Sequence, residues 1–172
     1  MLPPGLDAAL ARLIESDRRP VVLIDGGAGS GKTTLAERIL RQWPVAHACS
    51  VSLDDLYPGW GGLHSGAAAV PGLITGSGYR SWDWSRNAPG PWRTLSATRP
   101  LVIEGCGAIT PASRALAGLA IWVELDEPRR RHRALARDGA SFAAHWDEWA
   151  AQETDHWLAS HPRELADLVV RG

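Results

Sequence analysis

The stretch Val21-Val-Leu-Ile-Asp-Gly-Gly-Ala-Gly-Ser-Gly-Lys-Thr33 is the most informative part of this chain. It begins with an apolar run rich in β-branched residues, which is typical of a buried strand in a parallel sheet. Residues 26–33 then fit the pattern G-x-x-x-x-G-K-[ST] in full. A helix-forming run over Thr33–Trp43 follows, and Pro44 is expected to end it. The order strand, glycine-rich loop, helix is the context that this pattern requires.

Residues 26–33, called the phosphate loop below, predict a site for a nucleoside triphosphate. Glycines allow backbone N–H groups to turn inward around phosphate oxygens, and the start of the next helix adds a favourable dipole. We expect Lys32 to reach the β- and γ-phosphates and Thr33 to place its hydroxyl on Mg²⁺. The predicted nucleotide-binding residues are Gly26, Gly27, Ala28, Gly29, Ser30, Gly31, Lys32, Thr33 and Thr34.

The rest of the chain alternates helical and strand patterns. Apolar residues at helical spacing predict a first helix over residues 6–16. Further strands are predicted at Ala48–Leu53, Pro100–Glu104, Leu119–Leu125 and Ala166–Val170, and further helices at Glu127–Arg137 and Ser141–Ser160. This order predicts an α/β fold, a three-layer doubly wound P-loop domain with a mostly parallel five-stranded sheet.

Length and composition favour a single domain over residues 1–172. The net charge of -1 gives no sign of nucleic-acid or membrane binding. Neither a signal peptide nor an apolar run of membrane-spanning length is visible, so a cytoplasmic protein is expected. Cys49 and Cys106 form no metal or disulfide pattern, and the six histidines, His47 among them, show no metal-ligand spacing.

Acidic residues follow three of the predicted strands: Asp25, Asp54-Asp55 and Glu104. Ligands of open α/β sheets sit beyond the carboxyl ends of the strands. Transfer of a phosphoryl group needs one carboxylate for Mg²⁺ and another for the attacking hydroxyl, and we assign Glu104 and Asp54 to these tasks. Asp25 directly precedes the phosphate loop and is expected to brace it. The alternative for Asp54-Asp55 is a helix cap or a turn.

Arginines crowd the helix predicted over Glu127–Arg137. Arg130, Arg133 and Arg137 fall at i, i+3 and i+7 and therefore share a face. Arginines on a mobile lid over residues 127–140 could stabilise a transferring phosphoryl group, with Asp138-Gly139 as the hinge. A solvated basic face is the alternative.

Residues 57–92 are rich in Gly, Pro, Ser and Trp, without clear periodicity, and are interpreted as an insertion that faces the substrate. Within it lies Tyr79-Arg-Ser-Trp-Asp-Trp84, with Arg86 close behind. Tyr79, Asp83 and Arg86 could hold a planar or sugar-like acceptor. The aromatic residues could equally form a small core that pins the loop.

Four separated blocks together resemble the uridine kinase-like branch of the P-loop nucleoside and nucleotide kinases. They cover most of the chain between residues 21 and 138 and occur in the order of that family. The blocks are Asp25–Thr33, Leu53-Asp-Asp-Leu-Tyr57, Val102-Ile-Glu-Gly105, and Asp126 followed by Arg130, Arg133, Arg137 and Asp138.

The resemblance implies a role for several residues. Asp54 would be the carboxylate that acts on the acceptor hydroxyl, Tyr57 a tyrosine of the substrate pocket, and Glu104 the acidic residue near Mg²⁺. Arg133 and Arg137 would contact the triphosphate from the lid. Asp83 would stand for the acidic residue of the family's Phe-Asp-His-Pro segment, which here reads Trp82-Asp83-Trp84-Ser85.

The sequence therefore predicts an ATP- and Mg²⁺-dependent kinase of a small molecule, with a nucleoside or nucleotide favoured as acceptor. Its expected partners are the nucleoside triphosphate and that acceptor. Sugar, vitamin and antibiotic kinases share the scaffold and stay open, as does a nucleotide-binding regulator without turnover. A GTPase switch is excluded because its [NT]-K-x-D motif needs a lysine outside the phosphate loop, and Lys32 is the only lysine.

Overall fold

The computed structural model describes residues 2–43 and 48–172, so Pro44 and His47 lie outside the described residues. The strands are β1 Val21–Asp25, β2 Cys49–Ser52, β3 Gly78–Asp83, β4 Ala88–Thr94, β5 Leu101–Glu104, β6 Leu119–Glu124 and β7 Leu168–Arg171. The helices are α1 Leu6–Ser16, α2 Lys32–Gln42, α3 Leu63–Thr75, α4 Pro111–Arg114, α5 Glu127–Ala143, α6 Trp146–Ser160 and α7 Pro162–Leu165.

The main sheet has five strands in the order β2-β5-β1-β6-β7, and every neighbouring pair is parallel. The predicted α/β fold with a parallel five-stranded sheet is confirmed. Because β1 and β5 are neighbours in register, Ile24 lies opposite Glu104. Glu104 in turn lies opposite Ser52 at the end of β2. The acidic residues Asp25, Glu104 and Asp54 therefore lie near one another, at the carboxyl ends of β1, β5 and β2.

Two apolar cores lie on the two faces of this sheet. Val21 and Leu23 of β1 belong to the core that also contains residues of α3, α5 and α6. Val22 and Ile24 belong to the core on the other side, with residues of α1 and α2. Since side chains alternate across a strand, a run buried on both faces must be apolar at every position. The result is the expected three-layer arrangement.

The insertion at 57–92 is more regular than its composition suggests. It contains the 13-residue helix α3 and an antiparallel hairpin of β3 and β4, with a register shift between Arg80 and Trp82. The sequence left short helices in this stretch open but did not locate α3, because Pro71 lies inside it and a proline normally indicates a helix end. The same helix carries Gly66 and Gly72, which weaken its periodic pattern.

The end of the arginine-rich helix also differs from the prediction. Ser141 belongs to α5, and the next helix, α6, begins at Trp146. The backbone is not helical at Gly139 (φ 64°, ψ -146°), so α5 is interrupted at the second residue of the predicted hinge Asp138-Gly139. Within the described ranges, none of the helices has the length and apolar character to cross a membrane.

Gly66 gives a test of how α3 packs on the site. A Cβ at Gly66 would lie 2.5 Å from Cδ1 of the buried Tyr57 ring, whereas one at Gly72 would meet no atom within 4 Å. We expect Gly66→Ala to lower the free energy of unfolding by about 1–3 kcal/mol through overpacking. Gly72→Ala, the matched control, should raise it by about 0.5–1 kcal/mol through helix propensity. Urea denaturation of both variants checks this, and equal effects would contradict the packing described here.

Candidate active site

The phosphate loop joins the end of β1 to the start of α2. Gly31 precedes the first helical residue, Lys32, and has a left-handed conformation (φ 104°) that an L side chain rarely adopts. This geometry directs backbone N–H groups and the positive end of the α2 dipole toward one place, where an anion is stabilised.

Asp25 fixes the start of the loop from below. Its fully buried carboxylate accepts hydrogen bonds from the backbone N–H of Gly26 (2.6 Å), Gly107 (3.1 Å) and Ile109 (2.9 Å). Nε2 of His156 on α6 lies 3.4 Å from the same carboxylate. Asp25 is thus positioned to brace the loop, as its place before the loop predicts, and it also ties the loop to the segment after β5.

A buried ion pair holds the loop at Ala28. Glu153 of α6 and Arg130 of α5 are 1% and 6% exposed, and their charged atoms lie 3.0 Å apart. Glu153 Oε1 accepts the N–H of Ala28, while Arg130 donates to the Ala28 carbonyl oxygen at 3.3 Å. Both polar groups of one loop residue are therefore fixed by side chains from two helices.

The same ion pair explains two of the loop glycines. A Cβ at Gly27 would collide with the guanidinium of Arg130, and a Cβ at Gly29 would collide with the backbone carbonyl of Arg130. Glycine lets α5 approach the loop at these points. Arg130 thus holds the phosphate loop in place, whereas Arg133 and Arg137 line pockets beside it.

Beside the loop lies an open cavity of about 460 Å³. Its lining combines residues of the phosphate loop, aromatic residues and charged groups. The lining residues are Ala28, Gly29, Lys32, Thr33, Asp54, Tyr57, Trp60, Trp84, Glu104, Gly105, Cys106, Arg137, Asp138, Ser141, Phe142 and Trp149.

Glu104 and Asp54 are two of the three carboxylates that line this cavity, and Asp138 supplies the third. Glu104, at the end of β5, accepts a hydrogen bond from the Thr33 hydroxyl at 3.3 Å. Burial raises the pKa of Glu104, while the nearby Lys32 opposes that change. Asp54 lies in the 3₁₀ turn Leu53–Asp55 that follows β2. Its side chain reaches solvent inside the cavity, yet the protein around it raises its pKa by desolvation.

Lys32 is buried at the base of the loop. Its hydrogen-bond partners among the described residues are uncharged: the Gly27 carbonyl oxygen at 3.0 Å and Cys106 Sγ at 3.4 Å. Burial alone would lower the pKa of Lys32, but the nearby carboxylates of Glu104, Glu153 and Asp25 raise it. The side chain is therefore a charged ammonium that no carboxylate of the described residues contacts directly, which fits a phosphate oxygen as its partner.

The donor set also fits Mg²⁺, a cation that prefers oxygen ligands and keeps contacts to phosphates. Thr33 and Glu104 supply a hydroxyl and a carboxylate beside the loop. In the described part of the chain, no three His, Cys, Asp or Glu side chains form a group that would hold a metal without further ligands. Oxygens of a bound nucleotide would have to complete the coordination.

The two predicted lid arginines take different places. Arg137 lines the cavity and makes two hydrogen bonds to the Asp138 carboxylate (2.9 and 2.7 Å), which raises the pKa of its guanidinium. Arg133 lines a neighbouring pocket of about 320 Å³ together with Gly31 and Thr34. Arg137 lines this pocket as well, so it contributes to both the cavity and the neighbouring pocket.

The structure separates the predicted acceptor residues. Tyr57 contributes its ring to the cavity, but it is buried and its hydroxyl donates to the Cys106 carbonyl oxygen at 2.7 Å. The cavity lining does not include the hairpin residues Tyr79, Asp83 or Arg86.

The hairpin residues are engaged elsewhere. Tyr79 hydrogen-bonds to Asp55 at 3.3 Å, and desolvation and this carboxylate raise its pKa to about 12. Asp83 accepts hydrogen bonds from Ser85 and from the Arg86 backbone, which lowers its pKa and shapes the hairpin turn. The aromatic stretch nevertheless reaches the cavity through Trp84.

Residues far along the chain complete the site and were not assigned from sequence. Glu153 lies one helical turn after Trp149, which donates to it at 3.1 Å. A lone carboxylate on the tryptophan-bearing face of α6 was the available signal. Trp60 and Phe142 belong to no sequence motif. Their stacked rings, with centroids 5.3 Å apart, come together only in the folded chain.

Comparisons with known proteins agree with the fold. No family model and no curated protein matches the sequence. Among solved structures, a protein from Bacillus stearothermophilus provisionally named a uridine kinase superposes with a TM-score of 0.61 at 18% identity, covering 96% of this chain and 98% of its own. A protein from Silicibacter sp. TM1040 provisionally named a fructose transport system kinase gives 0.55 at 18%, covering 97% and 99%. At this identity the likeness establishes a shared fold along the whole chain.

Proposed function

We propose that this protein is an ATP- and Mg²⁺-dependent phosphotransferase that phosphorylates a small molecule. One observation carries the proposal: Lys32, Asp54 and Glu104 line a single cavity beside the phosphate loop. A cation for phosphate, a carboxylate for the metal and a carboxylate for the acceptor are the groups that phosphoryl transfer requires. The provisional kinase names of both structural neighbours support the same reaction class.

Each group has a role in this proposal. The loop amides and Lys32 bind the phosphates, and Thr33 and Glu104 hold the metal. Mg²⁺ supplies neutralisation of the phosphate charge. Asp54 accepts the proton of the acceptor hydroxyl, whose oxygen bonds to the terminal phosphorus as the bond from that phosphorus to ADP breaks. Arg133 and Arg137 stabilise the transferring group from α5, and the break at Gly139 gives the lid its hinge.

The sequence resemblance favours nucleosides and nucleotides as the acceptor, and sugars, vitamins and antibiotics are the alternatives. A regulator that binds the nucleotide without turnover is the second candidate. An acceptor that raises ADP production well above background distinguishes the two. We further propose a cytoplasmic, single-domain protein whose partners are the nucleoside triphosphate and the acceptor.

Lys32 tests the phosphate site. We expect Lys32→Ala to lower phosphoryl transfer by at least about 100-fold, since loss of one group that stabilises transition-state charge costs this much. Arg41→Ala, on the exposed face of the same helix, is the matched control and should leave the rate unchanged. ADP release with circular dichroism as a folding check measures both. Near-wild-type turnover in Lys32→Ala would refute the assignment.

Asp54 tests the acceptor side. We expect Asp54→Asn to keep ATP affinity and to lower transfer by roughly 10²–10⁴-fold, with Asp55→Asn as the control. Only the deprotonated form accepts a proton and the pKa of Asp54 is raised. The activity of the wild type should therefore rise with pH through a value above the ordinary 3.8 of an aspartate. A pH profile of kcat/KM measures this limb, and equal loss of ATP binding in Asp54→Asn would make Asp54 a metal or structural residue.

The Arg130–Glu153 pair tests whether the loop must be held at Ala28. Glu153→Gln alone should cost about 3–5 kcal/mol of stability, because it leaves a buried charge unpaired. The double variant Arg130→Met/Glu153→Met should recover most of that stability. We expect it still to bind Mg-ATP at least about tenfold more weakly, a loss of about 1.4 kcal/mol.

Calorimetry and thermal denaturation of these variants separate the two effects. Arg163→Ala, which removes an exposed ion pair with Glu124, is the control and should change neither quantity. Full nucleotide affinity in a stable double variant would show that the pair serves stability alone.

A further inference from the structure

The part of the cavity next to Asp54 has an aromatic wall, formed by Tyr57, Trp60, Trp84, Phe142 and Trp149. The rings are neighbours. The ring centroid of Trp60 lies 5.1 Å from that of Trp84 and 5.3 Å from that of Phe142, and the centroids of Tyr57 and Trp149 are 4.9 Å apart. The wall begins at Asp54 itself, because Trp84 Nε1 donates to the Asp54 carbonyl oxygen at 2.8 Å.

Much of this wall presents carbon to the cavity. The Tyr57 hydroxyl is engaged by the Cys106 carbonyl oxygen, and the indole N–H of Trp149 by Glu153. The indole N–H of Trp84 is engaged by Asp54. Groups already bonded within the protein do not read hydrogen-bonding edges of a ligand, so at these three rings a ligand is held by stacking and apolar contact.

The charges in the lining disfavour an anionic acceptor. Three carboxylates, Asp54, Glu104 and Asp138, face the cavity along with two cations, Lys32 and Arg137. Arg137 is already paired with Asp138 at 2.7 Å. Lys32 lies in the phosphate loop, where the triphosphate needs it. An additional phosphate on the acceptor would meet carboxylates without a cation of its own.

We propose that the acceptor is an uncharged or cationic alcohol whose hydroxyl is carried beside a flat, largely apolar ring. This inference rests on the proposed function and narrows it to a substrate class. The ring lies against the aromatic wall, and the hydroxyl reaches Asp54. The hydroxyl proton passes to Asp54, and the new oxygen–phosphorus bond replaces the bond from the terminal phosphorus to ADP. Nucleoside monophosphates, hexoses and hydrogen-bonding nucleobases fit this wall less well.

A matched panel of acceptors tests the substrate class. Aryl alcohols with and without an amino group, nucleosides, hexoses and nucleoside monophosphates are each offered with Mg-ATP. We expect the aryl alcohols to have kcat/KM values at least about tenfold above those of the other classes, a difference of about 1.4 kcal/mol. A nucleoside, hexose or monophosphate as the best acceptor would overturn the inference while leaving the kinase proposal intact.

Binding separates this inference from the proposed function. If no compound is phosphorylated, the kinase proposal fails, and calorimetry with the same compounds still decides the substrate class. Tighter binding of aryl alcohols than of the other classes supports the inference, and the reverse order contradicts it.

Variants of Trp84 test the wall directly. Trp84 is 39% exposed and lines the cavity, whereas Trp92 on the same hairpin is 56% exposed and belongs to no part of that lining. We expect Trp84→Ala to raise the acceptor KM by roughly tenfold with kcat within about threefold, since one lost stacking contact costs on the order of 1 kcal/mol. Trp84→Phe keeps a ring without the indole donor and should stay within about threefold of the wild type.

The control and the nucleotide side complete the test. Trp92→Ala should leave both constants unchanged, and the KM for Mg-ATP should be the same in all variants. An acceptor KM that is equal in Trp84→Ala and the wild type would overturn the inference. So would an equal increase in Trp84→Ala and Trp84→Phe, which would assign the effect to the hydrogen bond with Asp54 alone.

Discussion

The buried carboxylate of Asp25 determines where the sheet ends and the loop begins. It accepts three backbone N–H groups, from Gly26, Gly107 and Ile109, at a point without access to solvent. Each of these donors would be costly to leave unpaired in the interior. One side chain thus holds together the loop after β1 and the loop after β5, and the rest of the site is built on these two segments.

Electrostatics then divide the site into a neutral support and a charged face. Arg130 and Glu153 cancel each other beneath the loop, where both are buried and both also bond to Ala28. Within residues 2–43 and 48–172, no carboxylate contacts Lys32 directly, so its charge is available on the cavity side. The pKa values of Asp54 and Glu104 are raised because the surrounding protein partly desolvates both carboxylates.

Local sequence patterns predicted the five strands of the main sheet, the phosphate loop and the acidic residues at the strand ends, because each depends on a short run of neighbours. The apolar run Val21–Asp25 and the loop pattern are of this kind, and the parallel sheet follows from them. The helix α3 was missed because Pro71 lies inside it, a case in which packing overrides propensity. Glu153 and Phe142 act through contacts with residues far away in the chain, which no local pattern encodes. Arg130 was grouped with the lid arginines because helical spacing predicts which residues share a helix face but does not predict their partners, here Glu153.

The hydrogen bond from the Trp84 indole to the Asp54 carbonyl oxygen links the hairpin to the turn that carries the acidic side chain. In many scaffolds a recognition loop is exchanged by recombination without disturbing the reactive groups. Here the hairpin and the turn are joined by this hydrogen bond and by the one from Tyr79 to Asp55, so a transplanted hairpin that lacks both donors would release the turn as well. New acceptor preferences in this lineage would then arise by point substitution along the hairpin sooner than by wholesale loop exchange.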